Sequence, residues 1–272
     1  MKVNIVDTTL RDGEQSAGLI FTAAEKLSIA KNLDKAGVFA IEAGIPAMGK
    51  DEQFALASIL SQKLTPQVIA WNRANINDIQ TSVDCGFSCI HISIPVSDLH
   101  IQYKLKKSRE WVLKQFGDSL AYARSLGCRV FAGAEDASRA DAQFFLQVAE
   151  IAAGMGAERI RFADTIGCLE PFKTYEMMQR LVKSCALPIE IHVHNDFGLA
   201  TANTVAAVQA GVTLASVTVG GIGERAGNAS LQEVVGVLAD MPGIYTGINP
   251  ARLPELANIV SNACKPRMSQ AL

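Results

Sequence analysis

The chain has 272 residues, 49% of them hydrophobic and 19% charged, with a net charge of −2. So balanced a charge offers nucleic acid or an anionic membrane surface nothing to grip, and no apolar run reaches the length of a membrane span. The length suits one large domain or two small ones and buries a sizeable core without staples.

Taken in chain order, short Val/Ile/Ala-rich runs alternate with longer amphipathic stretches. The first strand is expected over residues 3–10, so no secretory signal is expected ahead of it, and a cytoplasmic location follows. Helix 22–36, strand 39–46, helix 50–62, strand 67–72 and helix 75–85 come next. Strand 89–96, helix 108–126, strand 129–135 and helix 140–155 continue the alternation. Strand 159–165, helix 171–184, strand 189–195, helix 199–210, strand 215–220 and helix 230–239 complete it. Gly37, Gly86, Gly127, Gly156 and Gly211 each follow a helix, as helix-terminating glycines do.

Eight strand–helix units at a repeat of roughly 30 residues predict an α/β fold, a (β/α)8 TIM barrel. The rival is an open, doubly wound sheet, but the first strand–helix turn carries no GxGxxG. The barrel is expected over residues 1–241, with a short C-terminal extension at 242–272 that holds one more helix, 253–263. The last stretch, 265–272, has no evident partner in the barrel. The cysteines Cys85, Cys89, Cys128, Cys168, Cys185 and Cys264 form no CxxC pair and are expected to be small buried hydrophobes.

A barrel of this kind carries its chemistry at the C-terminal ends of its strands. Those ends collect Arg11, Asp12 and Gln15, then Glu42, Asn75, Glu135, Thr165, His192 and His194, and finally the loop 220–228. His192 and His194 stand two apart on one strand and share a face, where two imidazoles suit a divalent ion better than each other. Asp12, next to the last strand once the barrel closes, is the best third ligand, and Asn228 adds a weaker oxygen. Such a set admits Mg, Mn, Fe, Co or Zn. Arg11 is expected to hold a carboxylate or a developing enolate oxygen. Glu42 lies inside an apolar strand and needs a polar partner, which Arg11 supplies. Glu135 and Asp136 face opposite ways, and Glu135 is the one expected to point inward. Gln15, Asn75 and Thr165 are expected to bind substrate.

At these residues the chain resembles a family of metal-dependent barrel enzymes. Its members are isopropylmalate, citramalate and homocitrate synthases and 3-hydroxy-3-methylglutaryl-CoA lyase. The resemblance rests on DTTLRDGEQ at 7–15, HVHND at 192–196 and GERAGN at 223–228. It implies a condensation of acetyl-CoA with a 2-oxo acid, a metal on Asp12, His192 and His194 with Asn228 in support, and Arg11 polarising the reacting oxygen. Glu42, Glu135 and Thr165 match family positions that orient substrate. GERAGN is similar to the synthases, since the lyases have a cysteine-bearing loop there. The phrases at 94–98, 134–139 and 161–167 are similar to homocitrate synthases of nitrogen fixation. That implies 2-oxoglutarate as the acceptor and homocitrate for the nitrogenase iron–molybdenum cofactor as the product. The lysine-pathway homocitrate synthases carry arginine and serine where this chain has Phe131 and Gly133.

Family synthases also have a region beyond the barrel that supplies a catalytic histidine to the neighbouring subunit. No histidine follows His194 in this sequence. The expectation is therefore a homo-oligomer or one half of a split enzyme in which a second polypeptide brings the base, the alternative being a truncated product with little activity. A lyase or aldolase running the reverse reaction uses the same barrel and metal and is the other class.

Overall fold

The computed structural model describes residues 1–265. The eight expected alternations are all present, as β1 (Asn4–Asp7), α1 (Ala23–Ala36), β2 (Ala40–Gly44), α2 (Lys50–Leu60), β3 (Gln67–Arg73) and α3 (Ile76–Asp84). They continue as β4 (Cys89–Pro95), α4 (Arg109–Ser125), β5 (Arg129–Glu135), α5 (Ala142–Gly154), β6 (Ile160–Asp164) and α6 (Pro171–Ser184). β7 (Ile189–Val193), α7 (Ala200–Gln209), β8 (Leu214–Val217) and α8 (Leu231–Ala239) complete the ring. Every strand is parallel to its neighbours and the sheet closes in sequential order, with Asn4 paired to Leu214 and Asp7 to Val217. This is a (β/α)8 TIM barrel, built by local right-handed crossovers.

β1 is shorter than the 3–10 run expected. The Thr8 carbonyl accepts from the N–H groups of Arg11, Asp12 and Gly13, which folds the chain over after Asp7. That turn carries Arg11 and Asp12 across the top of the barrel. A second departure is the π-helical turn His100–Leu105 after β4, in a stretch read only as a connection.

The barrel interior is layered. Val6, Ala40, Ile69, Cys89, Phe131 and Leu214, one from each of six strands, form an apolar plug separate from the main core. One pleat further along, inward positions carry charge: Glu42, Arg161 and Glu190 are buried, and Arg159 lies over the Phe131 ring with its guanidinium carbon 3.9 Å from the centroid. The third level holds Asp12, His192 and His194. The outward faces of the strands pack on the helices in one continuous apolar shell.

Beyond the ring, α9 (Leu253–Ala263) occupies the helix expected at 253–263. Leu256 and Val260 join the main core, and Asn249 donates from its backbone to the Ala36 carbonyl at the end of α1. The extension is thus docked on the barrel wall as far as it is described, and most of 265–272 lies outside the described residues. Of the six free cysteines, Cys89 and Cys128 are buried and the other four are only half-buried, so fewer are buried than expected. Among the described residues no helix is long and apolar enough to cross a membrane.

Candidate active site

The upper level of the interior opens into a cavity of about 410 Å³. Asp12, His192 and His194 meet at one side of it. Asp12 Oδ2 lies 2.9 Å from His192 Nε2 and 3.2 Å from His194 Nε2, and the two Nε2 atoms are 3.2 Å apart. All three residues are buried, and among the described residues this is the one group of three such side chains close enough to share an ion. Two neutral imidazoles gain little from so close an approach, whereas a cation between them satisfies both lone pairs. Burial, only partly offset by Asp12, pushes the His192 ring down to about 4, so it is neutral and able to coordinate. Burial would raise Asp12, but Arg11 and the two histidines outweigh it and hold the carboxylate well below its ordinary range.

The surroundings fit an ion as well. The Asp12 Oδ1 and Asn228 Oδ1 atoms are buried with no hydrogen-bond partner, as oxygen donors awaiting a cation are. His192 Nδ1 lies 3.0 Å from Ser216 Oγ, which can accept its proton and leave Nε2 free. His194 Nδ1 accepts from an Arg225 guanidinium N–H at 2.7 Å, which places the neutral ring's proton on Nε2 facing Asp12 Oδ2, so an ion would be held by Nε2 only once this arginine contact is given up; the arginine also donates to Asp196 and to the Thr165 carbonyl. Asn228 is brought in by the glycine-rich loop. Gly227 has φ +86°, and a Cβ there would sit 1.9 Å from the Gly221 oxygen, so no other residue fits.

Arg11 lines the same cavity. Its Nε donates to Glu42 Oε1 at 2.5 Å, its Nη1 lies 3.5 Å from Asp12, and its guanidinium carbon is 5.7 Å from the Trp71 ring centroid. Glu42 has Arg11 as the polar partner expected for it, but does not itself line the cavity. It is fully buried beneath Arg11 and also accepts from Arg161 at 3.1 and 2.7 Å, so it positions rather than reacts. Burial would raise its carboxyl, but the charges of Arg11 and Arg161 hold it far below the usual range.

Gln15, Glu135 and Thr165 all line the cavity. Glu135 accepts from Lys104 at 2.5 Å and lies 3.2 Å from His100 Nδ1, while Asp136 turns away to Ser97 and Arg139. Thr165 Oγ1 accepts from the Asp136 backbone N–H. Asn75 is the residue the fold does not bring in. Its side chain accepts from the Asn77 N–H and caps α3, outside the cavity, so its expected substrate contact is corrected.

Lining side chains that carried no expectation include His91, Ser93, Arg161, His100 and Lys104. A signal existed for the first three. Arg159 and Arg161 alternate with Ile160 and Phe162, and His91 and Ser93 with Ile90 and Ile92, so polar groups recur every second residue on the inward face.

The HMGL-like family model matches residues 2–260. The chain belongs to the HMGL-like family. Its relatives include 2-isopropylmalate synthase 2 of Caldanaerobacter subterraneus subsp. tengcongensis, 48% identical over 96% of this chain and 68% of that protein. Homocitrate synthase 1 of Nostoc sp. is 48% identical over 96% of this chain and 70% of its own length. Homocitrate synthase subunit alpha of Clostridium pasteurianum is 46% identical over 91% of this chain and 93% of its own length. Among solved structures, Bacillus subtilis HMG-CoA lyase superposes with a TM-score of 0.85 over 99% of this chain and 96% of that one, at 22% identity. That likeness concerns the fold. Membership in the HMGL-like family, with synthases as relatives, makes the chain an enzyme of the acyl-transferring, condensing type.

Proposed function

We propose that this HMGL-like enzyme condenses acetyl-CoA with 2-oxoglutarate to give homocitrate and CoA, in support of nitrogenase cofactor synthesis. The convergence of Asp12, His192 and His194 beside Arg11 in one cavity carries the reading. The homocitrate synthase relatives and the phrases at 94–98, 134–139 and 161–167 support the choice of acceptor.

A divalent ion on Asp12, His192 and His194, with Asn228 near, supplies Lewis acidity toward a keto oxygen. The chain's own residues do the rest. Arg11, clamped by Glu42, presents a fixed guanidinium to the oxygen that gains charge when the acetyl-CoA methyl loses its proton. The resulting carbon bonds to the keto carbon of the 2-oxo acid, and water then cleaves the thioester, with CoA as the leaving group. Thr165 and Gln15 face the cavity as positioning donors. The proton-abstracting base is assigned to a group outside the described residues, on a further segment or on a second polypeptide. His100 has its ring nitrogens turned to Glu135 and Arg139, and His91 lies at the cavity floor, so neither is placed to serve. The Clostridium relative, named as a subunit, supports such a division.

The test is thiol release from acetyl-CoA across a panel of 2-oxo acids, with and without a divalent metal and with a candidate partner polypeptide. Metal-dependent release that is fastest with 2-oxoglutarate is expected. Fastest release with 2-oxoisovalerate would instead assign the chemistry of its isopropylmalate synthase relative, and no release with any 2-oxo acid would refute the condensation.

A further inference from the structure

Lysine is rarely buried, yet Lys26 on α1 is 2% exposed and is the only buried lysine among the described residues. Its place in the helix adds to the cost. It is the fourth residue of α1, in the first turn, where the helix dipole disfavours a cation. Two carboxylates compensate. The ammonium lies 2.6 Å from Glu14 Oε2 and also donates to Glu52 Oε2. Each carboxylate is fixed by backbone on its other oxygen: Glu14 Oε1 accepts from the Phe21 N–H at 2.9 Å, and Glu52 Oε1 from the Ile45 N–H at 3.3 Å. Gly44, the last residue of β2, makes the room, since a Cβ there would lie 2.0 Å from Glu52 Oε1. Both carboxylates line a gap of about 60 Å³ between the loops that follow β1 and β2, and Arg11 and Gln15 are among its other walls.

The loop after β1 is the one that carries Arg11, Asp12 and Gln15. Its first turn hangs from the Thr8 carbonyl, and further on Ser16 Oγ bonds to Gly13 and Gly223. Between those points Glu14 holds the loop to Lys26 and to the Phe21 N–H. Gln15 comes next. Its side chain has no hydrogen-bond partner among the described residues, so its aim into the cavity is set by the backbone beneath it. A buried ion cluster adds little stability that apolar side chains of the same volume would not add. What a buried ammonium between two acceptors does supply is a fixed distance and direction.

We propose that Lys26 is a positioning residue, which clasps the loop after β1 to the loop after β2 through Glu14 and Glu52 and so holds Gln15 and Arg11 in register with the bound 2-oxo acid. This rests on the reading that the acid occupies the cavity beside Asp12, His192 and His194. The hold on the loop itself is independent of what the cavity accepts.

The test has two arms, both on the full chain. Lys26→Met keeps the length of the side chain and removes its charge. In the first arm, amide hydrogen exchange at residues 11–15 should quicken by about 10-fold or more in this variant, with exchange in β5 and β6 unchanged. In the second, calorimetry in the presence of Mg²⁺ measures binding of 2-oxoglutarate. Lys26→Met and Gln15→Ala should each weaken it by about 10-fold, the scale of one hydrogen bond to a charged group, and the double variant no further. A lysine that served only stability would give no such coupling in the folded variants. The triple change Lys26→Met, Glu14→Gln, Glu52→Gln removes the stranded charges, so it should regain thermal stability without regaining affinity, and it replaces Lys26→Met should that variant fail to fold. Unchanged exchange in the loop, or effects that add to those of Gln15→Ala, would overturn the clasp and leave the 2-oxo acid reading standing. If the native chain binds 2-oxoisovalerate and not 2-oxoglutarate, the choice of acceptor falls and the same cycle on that acid decides the clasp. Binding of neither acid in the presence of metal would overturn both.

Discussion

Replacing Glu190 by Gln changes one oxygen to an amide nitrogen and removes a buried negative charge at constant volume. In the native chain, Oε1 accepts from Arg161 Nε and Oε2 from Arg159 Nε, each at 2.6 Å. Glutamine offers one acceptor where two guanidiniums converge, so one of them meets an N–H. Arg161 keeps Glu42, but Arg159 keeps only the Gln67 side chain at 3.4 Å. Breaking a buried pair by removing one partner costs about 3–5 kcal/mol, a large part of the roughly 5–15 kcal/mol that holds a domain together. At about 2–4 °C per kcal/mol for a chain near this size, the Tm should fall by roughly 10 °C. Acid sensitivity supplies a second readout. Burial alone would raise the Glu190 carboxyl, but Arg161 and Arg159 outweigh it and bring it from 4.5 to about 2. Its contribution is therefore full above pH 4.5 and is lost as pH falls toward 2. The Gln variant lacks that group, so its stability should decline less steeply over this window. Thermal melts at pH 7 and urea titrations between pH 5 and 2.5 measure both effects. A Tm within 2 °C of the native chain, or parallel acid limbs, would refute the account of the ionic layer.

Three further outcomes are expected. The double change His192→Ala, His194→Ala should abolish stoichiometric divalent metal in the purified chain, as read by elemental analysis; retention of the ion would remove those ligands from the site. Arg11→Ala should slow turnover by about 100- to 1,000-fold, the usual cost of losing one charge-stabilising donor, while leaving metal content intact. Asp7 is fully buried with one oxygen unpartnered, and burial lifts its carboxyl to about 7. The burial cost of its charged form therefore grows as pH rises from its ordinary 3.8 through 7, and Asp7→Asn should gain stability relative to the native chain between pH 5 and pH 8. A pH-independent difference in Tm would contradict that.

The barrel was legible because eight alternations, five of them closed by a glycine, leave few topologies open, and each crossover is local. The metal group was legible for a different reason. His192 and His194 share a face by strand geometry alone, and Asp12 follows from closure of β1 against β8. What escaped was set by turns rather than periods. Asn75 sits one turn past β3 and is consumed as a helix cap, and Glu42 lies one pleat too deep to reach the cavity. His91 alternates with isoleucines on β4 and so was legible as an inward polar residue, but the room around its ring was not. That room depends on the absence of a neighbour's Cβ at Gly133, which no single-strand pattern reveals.

The circumference of the barrel is divided between two tasks. The side chains that could hold an ion come from β7, the loop after β8 and the turn after β1, while His91, Gly133 and Arg161 line the cavity from β4 to β6. A change of residue on the second arc alters what shape and charge the cavity admits without disturbing the first. The buried pair Glu42–Arg161 ties the two arcs together, so a change at either residue reaches both.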